Sequence, residues 1–205
     1  GVRGYDGHGA LSAGASSRLL LDYPEPQRAT ILDYLFKPGF GASLHHLKVE
    51  IGGDTWSTDG SEPSHMHVRG DLNLDRGWEF WLLKEAKKRR PEIKTYALPW
   101  GLPGWVGDGS GQGTGFYSLD NIYNYTLPFL RGARERWGVE LDYLGIWNER
   151  DITNNDYVKE LRQALNAHNF SKVKLVVSDN AEGKYTSDIE QAMQKDPALN
   201  ASVSV

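Results

Sequence analysis

The chain has 205 residues, of which 39% are hydrophobic and 24% charged, so it can bury one sizeable core and is neither disordered nor fibrous. Its net charge is −4 and its basic residues cluster only at 84–90, interspersed with acids on a predicted helix, so we expect no nucleic-acid partner. It has no cysteine, which excludes disulfide scaffolds and zinc-thiolate sites, and no apolar run long enough for a transmembrane segment.

Short apolar runs alternate with longer amphipathic segments about every 40 residues, a pattern typical of consecutive βα units. The pattern predicts strands at 5–12, 43–51, 93–99, 141–147 and 173–178, and helices at 27–36, 77–89, 119–137, 155–167 and 187–194. Residues 203–205 resemble the start of a sixth strand. Long loops, 54–73 and 100–115, follow the second and third strands, and loops of this length are usually functional.

Five βα units do not close an eight-stranded barrel, so the pattern fits either an open doubly wound sheet or part of a (β/α)₈ barrel. The short run at 203–205 favours the barrel. We therefore predict one incomplete α/β TIM-barrel domain over residues 1–205, with strands one to five and the start of six. A nucleotide-binding sheet has no support, because the first strand carries Gly7-His8-Gly9 without the remaining residues of a phosphate loop.

The fourth predicted strand ends in an amide beside a carboxylate, Asn148 and Glu149. Barrel enzymes build their active sites at the C-terminal ends of strands, so Glu149 is a candidate catalytic acid/base of a glycoside hydrolase. Asn148 can form a hydrogen bond with a sugar hydroxyl next to the reacting carbon, although it could also be an ordinary turn residue. Glu149 could instead cap the next helix, but residues 151–155 offer better caps.

Aromatic side chains suit the apolar faces of sugars, and Trp100 and Trp105 lie at or near the end of the third strand. Each could equally be a core residue. In the preceding loop, Thr58 and Asp59 could bind ligand hydroxyls or merely anchor the loop.

Two further groups of polar residues favour structural roles. His65 and His67 lack a third ligand at a readable spacing, so we expect no metal site, and we expect no cofactor. Glu50 and Asp54 are alternative acids at the end of the second strand. Because neither is preceded by a positioned amide, salt bridges or loop anchoring are the favoured roles for them.

Five blocks in order resemble the galactocerebrosidase (galactosylceramidase) family of retaining glycoside hydrolases: GASLHHLKVEIGGD at 41–54, TDGSEPSHMH at 58–67, KEAKKR at 84–89, LPW at 98–100 and IWNER at 146–150. The similarity spans essentially the whole chain. It implies a (β/α)₈ barrel with Glu149 as acid/base, Asn148 beside it, and Thr58 and Trp100 at galactose-contacting positions.

The resemblance also implies a nucleophilic Glu at strand seven, which has no counterpart in this chain, and further β-sandwich and lectin-like domains. We therefore expect hydrolysis of a terminal β-galactosyl bond of galactosylceramide or a related galactolipid, and we expect the isolated 205 residues to be inactive. A hydrolase of another β-galactoside and a sugar-binding pseudoenzyme remain alternatives. A lipid-presenting activator protein is a possible partner, and sequons at Asn124, Asn169 and Asn200 weakly favour a lysosomal or secreted location.

Overall fold

The computed structural model describes residues 4–57, 59–107, 114–150, 154–179 and 184–204. One sheet contains the strands β1 (Gly9–Ser12), β2 (His46–Glu50), β3 (Lys94–Leu98), β4 (Tyr143–Gly145) and β5 (Lys174–Val176). Neighbouring strands are all parallel and follow chain order from β1 to β5. A doubly wound sheet would reverse its order at a switch point, so the sequential order is that of a barrel wall.

Helical segments connect the strands: α1 (Arg18–Asp22), α2 (Glu25–Phe36), α3 (Glu79–Arg89), α4 (Leu127–Arg131), α5 (Asn155–Ala167), α6 (Lys184–Lys195) and α7 (Pro197–Ser202). Two π-helical segments, Asn121–Thr126 and Gly132–Arg136, flank α4, and a 3₁₀ turn at Thr114–Tyr117 precedes them. Among the described residues no helix is both long and apolar enough to cross a bilayer.

The two faces of the sheet differ in polarity because successive side chains of a strand point to opposite sides. One face carries Leu47, Val49 and Leu144, which are buried in a single hydrophobic cluster together with helix residues such as Leu83 and Leu161. The other face lines an open cavity of about 760 Å³, and its strand residues include His46, Lys48, Tyr96, Tyr143 and Lys174. The core thus lies between sheet and helices, and the polar face is the inner side of the barrel wall.

Most predicted elements are confirmed, and α5 has the predicted bounds. The predicted β4 was too long, because after Gly145 the chain turns away from β5 although Ile146 stays buried. The helices α1 and α7 are only 5 and 6 residues long, and the sequence pattern did not predict them. Residues 203 and 204 form no strand, but the Ser204 backbone N–H donates to the Leu175 carbonyl oxygen of β5 at 3.0 Å.

Candidate active site

The ends of β3 and β4 lie side by side, which brings Trp100 and Asn148 to the same edge of the sheet. The Asn148 backbone N–H donates to the Pro99 carbonyl oxygen at 3.0 Å. The Trp147 indole N–H donates to the Trp100 carbonyl oxygen at 3.1 Å. Two hydrogen bonds therefore fix the relative position of two predicted site residues, 48 positions apart in the chain.

Asn148 is buried, and its side chain faces a lysine on the inner side of the sheet. It is 8% exposed, and its Oδ1 lies 3.5 Å from the Lys48 Nζ. The same ammonium lies 2.8 Å from the Asp179 Oδ2, just beyond β5. Since a lysine ammonium can only donate, Asn148 presents its oxygen to Lys48 and keeps its amide hydrogens for another partner.

Glu149 is exposed and its backbone adopts φ +52°, a left-handed conformation that is uncommon outside glycine. Its carboxylate has no hydrogen bond or ion pair with any other residue that the structure describes. The α5 helix is capped by Asn154, whose Oδ1 accepts from the Tyr157 backbone N–H at 3.0 Å. The prediction that Glu149 is not needed as a helix cap is confirmed, because Asn154 caps α5.

Trp100 is half-buried and borders an open cavity of about 260 Å³ between the loops after β2 and β3. Its lining includes the side chains of Trp56, Leu102, Pro103, Val106 and Phe116, and polar atoms contribute almost as much of the lining surface as apolar atoms do. The two loops meet at Gly53 and Gly101, where a Cβ on Gly53 would collide with the Gly101 carbonyl. This close approach of the two backbones needs glycine at position 53.

Of the remaining predicted site residues, Trp105 and Asp59 are not among the residues that line this cavity. Trp105 is outside the lining of this cavity, and its indole N–H donates to the Met66 carbonyl oxygen at 2.8 Å, which fixes the loop instead. Asp59 is exposed near Gly14. Thr58 lies outside the described residues.

The alternative acids and histidines make structural contacts. Asp54 accepts from the Ser64 backbone N–H at 2.8 Å and lies 2.7 Å from the His67 Nδ1. His65 is buried, and its Nε2 donates to the Tyr125 carbonyl oxygen at 3.0 Å. Burial lowers the pKa of His65 to about 4, so the ring is neutral near pH 7. Within the described ranges, no three His, Asp or Glu side chains are arranged to hold a metal ion.

Three buried carboxyl groups, Glu50, Glu62 and Glu79, border a common small cavity behind the site. Each has one oxygen that accepts hydrogen bonds and one with no partner among the described residues. Burial raises the pKa of Glu62 to about 7 and that of Glu79 to about 8, with neighbouring carboxylates adding to the shift, and burial also raises the pKa of Glu50. Burial thus favours the protonated form of each of these carboxyl groups.

Sequence reasoning missed Lys48 and Asp179, which the structure brings to Asn148. Lys48 lies in the middle of a strand with His46 and Glu50 at period two, so one face of β2 carries a polar, ionisable residue at every position. That alternation indicates a polar barrel interior and could have pointed to Lys48. Asp179 follows β5 as Asn148 follows β4, but pairing the two residues requires the register of the sheet.

Comparisons with known proteins identify the family. The sequence matches Glycosyl hydrolase family 59 over residues 5–205. It is 50% identical over 205 residues to a galactocerebrosidase of Danio rerio, across 99% of this chain and 30% of that protein. It is 53% identical over 179 residues to a galactocerebrosidase of Homo sapiens, across 87% of this chain and 26% of that protein. The chain thus spans less than a third of the length of these relatives.

Solved structures with the same fold include an endo-beta1,6-glucanase, at TM-score 0.74 and 19% identity over 98% of this chain and 51% of that one. Another is the catalytic domain of GH30 xylanase C from Talaromyces cellulolyticus, at TM-score 0.68 and 17% identity over 94% of this chain and 52% of that one. At such identities the likeness concerns the fold alone, and it agrees with five sequential parallel βα units of a (β/α)₈ barrel. The chain belongs to Glycosyl hydrolase family 59.

Proposed function

We propose that the protein hydrolyses the terminal β-galactosyl bond of galactosylceramide or a related galactolipid with retention of configuration. The observation that carries the proposal is the Asn148–Glu149 pair at the end of β4, beside Trp100 at the end of β3, in a chain of family 59. The galactocerebrosidase names of its relatives support the choice of sugar and lipid.

In this mechanism Glu149 donates a proton to the leaving oxygen and then, as a base, activates the water that releases the sugar. The amide hydrogens of Asn148 bind the hydroxyl next to the reacting carbon, an interaction that strengthens as positive charge develops on the sugar ring. Trp100 contacts the apolar face of galactose, and Thr58 binds a galactose hydroxyl. The attacking carboxylate is assigned outside residues 1–205.

The same proposal extends to the lipid and its delivery. The cavity beside Trp100 offers apolar side chains such as Leu102 and Phe116 to the part of the substrate that adjoins the sugar, and a lipid-presenting activator protein would bring an insoluble substrate to it. A lysosomal or secreted location is supported by the exposure of all three sequon asparagines, Asn124, Asn169 and Asn200.

Glu149→Gln in the full-length gene product tests the catalytic assignment. The amide cannot donate an acidic proton, so we expect kcat on a lipid or alkyl β-galactoside to fall by about 10²–10⁴-fold while galactose binding is retained. On an aryl galactoside whose leaving group needs no proton, such as 2,4-dinitrophenyl β-galactoside, sugar transfer to the enzyme should be nearly normal. Pre-steady-state release of the phenolate measures that step.

Glu140→Gln is the matched control, because Glu140 is exposed near the other end of β4. It should leave turnover unchanged. Equal turnover of the Glu149→Gln variant and the wild type would contradict the acid/base role. Galactose binding without any turnover by the wild type would favour a sugar-binding pseudoenzyme.

A further inference from the structure

Lys48 occupies a central position on the inner side of the sheet. From the middle of β2 its ammonium reaches residues that follow β5 and β4: the Asp179 Oδ2 lies at 2.8 Å and the Asn148 Oδ1 at 3.5 Å. It also lies 5.1 Å from the ring centroid of Tyr96 and 5.6 Å from that of Trp100. One side chain thus touches the amide and the indole of the candidate sugar site.

A side-chain amide can be turned in two ways, and the environment decides which end faces a ligand. The Asn148 backbone is held by Pro99, so only the side-chain torsions remain to be fixed. Lys48 offers donors and no acceptor, so it favours the orientation in which Oδ1 faces the ammonium and the Nδ2 hydrogens face away. Without the ammonium, both orientations become accessible, and one of them presents an acceptor to the ligand.

A purely structural role for Lys48 is the simpler alternative. Its ion pair with Asp179 has side chains 23% and 32% exposed, and pairs that water still reaches typically contribute less than about 1 kcal/mol. Asp179 instead anchors the ammonium, and the rings of Tyr96 and Trp100 restrict its movement. These contacts therefore indicate that the Lys48 ammonium is held in place as a hydrogen-bond donor and contributes little to the stability of the fold.

We propose that Lys48 is a positioning residue, which orients the Asn148 amide so that its hydrogens donate to the sugar hydroxyl beside the reacting carbon. This proposal rests on the function proposed above. Because the bond to that hydroxyl strengthens in the transition state, loss of Lys48 should lower kcat more than it raises KM.

A double-mutant cycle in the full-length gene product tests whether Lys48 acts through Asn148. We expect Lys48→Met to lower kcat for an aryl β-galactoside roughly tenfold, the usual cost of one misdirected hydrogen bond, and Lys48→Arg to restore part of the loss. In an Asn148→Ala background, Lys48→Met should have little further effect. Independent, multiplying losses from the two substitutions would overturn the proposal.

A second substrate separates orientation from general damage to the site. On the corresponding 2-deoxy-galactoside, which lacks the hydroxyl, Lys48→Met and the wild type should turn over at similar rates. An equal loss on both substrates would overturn the proposal. Lys174→Met is the matched control, because Lys174 lies on the same face of the sheet, 5.5 Å from the Tyr143 ring centroid. It should leave both rates unchanged.

The function and the positioning role can fail separately. If the wild type binds galactose but turns nothing over, the function proposed above fails, and the same cycle is then measured on the dissociation constant for galactose. Coupling between Lys48 and Asn148 in that constant would sustain the positioning role, and its absence would refute it.

Discussion

At Trp100 the backbone is held by a hydrogen bond and the indole has a cation beside it. Its own carbonyl oxygen accepts a hydrogen bond from Trp147, and the Lys48 ammonium lies 5.6 Å from its ring centroid. The ring is half-buried at the rim of a cavity, so it offers a flat apolar surface with little conformational freedom left to lose.

Trp100→Ala removes this surface and should raise KM for a β-galactoside about 10–100-fold, the equivalent of one aromatic contact together with its buried area. Trp100→Phe should recover part of the affinity because a smaller ring remains. The affinity for galactose, measured by calorimetry, provides a second measure.

Trp137→Phe is the control for this prediction, since the Trp137 indole donates to the Leu74 carbonyl oxygen at 2.7 Å and lies outside the cavity lining. It should lower the melting temperature and leave KM unchanged. An unaltered KM in Trp100→Ala would remove Trp100 from the sugar site.

Among the elements, α5 matters most to the site because it begins soon after Glu149. Its first turn is closed by the Asn154 Oδ1, which accepts from the Tyr157 backbone N–H at 3.0 Å, and Tyr157 is buried beneath. Asn154, which ends the segment after Glu149, is thereby linked to the hydrophobic core through Tyr157.

Asn154→Ala should lower the free energy of unfolding by about 1 kcal/mol, because the first turn loses its side-chain acceptor. The melting temperature of the full-length protein is the measurement. Asn166→Ala, at an exposed position near the other end of the same helix, should be neutral or slightly stabilising. Equal losses from both substitutions would argue against a capping role for Asn154.

The long helices were predictable because the spacing of apolar residues in their own sequence determines that they form. The apolar spacing of α5 and α2 reports burial against one sheet, and strands bounded by glycine, proline or polar residues are readable from the chain. The short helices α1 and α7 were not predictable, because one or two helical turns contain too few residues to show a periodic apolar pattern. The early end of β4 depends on where β5 stops pairing, which is a property of the sheet.

The same distinction applies to the site. Asn148, Glu149 and Trp100 follow apolar runs, so their place at the strand ends was predictable from the sequence. The contact between Lys48 and Asp179 joins residues 131 positions apart, and it arises from barrel curvature that no local pattern records. The convergence of Glu50, Glu62 and Glu79 likewise depends on the fold of the loop after β2.

For the whole molecule, the buried carboxyls make stability depend on pH. Glu62 accepts from the Trp78 backbone N–H at 2.7 Å at the start of α3, and Glu79 accepts from the Ser12 hydroxyl at 2.7 Å in β1. These groups connect the first two βα units. Their raised pKa values mean that the folded state holds protons which the unfolded chain releases above about pH 4.5.

The contribution of Glu62 and Glu79 is therefore fully present below pH 4.5 and is lost as pH rises through about 7 and about 8, respectively. His65 acts in the opposite direction, since its lowered pKa costs stability as pH falls from 6.5 through about 4. We expect the melting temperature of the full-length protein to fall by at least ~5 °C between pH 6 and pH 8.5.

Glu79→Gln mimics the protonated carboxyl at every pH, so it should flatten this decline above pH 6. Glu190→Gln, at an exposed position on α6, should leave the decline as steep as in the wild type. A wild-type melting temperature that is constant or rises from pH 6 to pH 8.5 would show that the buried carboxyls are ionised in the folded protein.

Because the backbone of Glu149 is left-handed, at φ +52°, a substitution that stabilises the protein here is expected to lower its proposed activity. For a residue with a Cβ this conformation costs roughly 1 kcal/mol relative to glycine, so replacement by glycine would relieve strain and at the same time remove the proposed proton donor. A library of variants selected for thermal stability alone would therefore favour glycine at position 149 and lose the proposed activity. Variants engineered for storage stability therefore have to be screened for the amount of product they form as well.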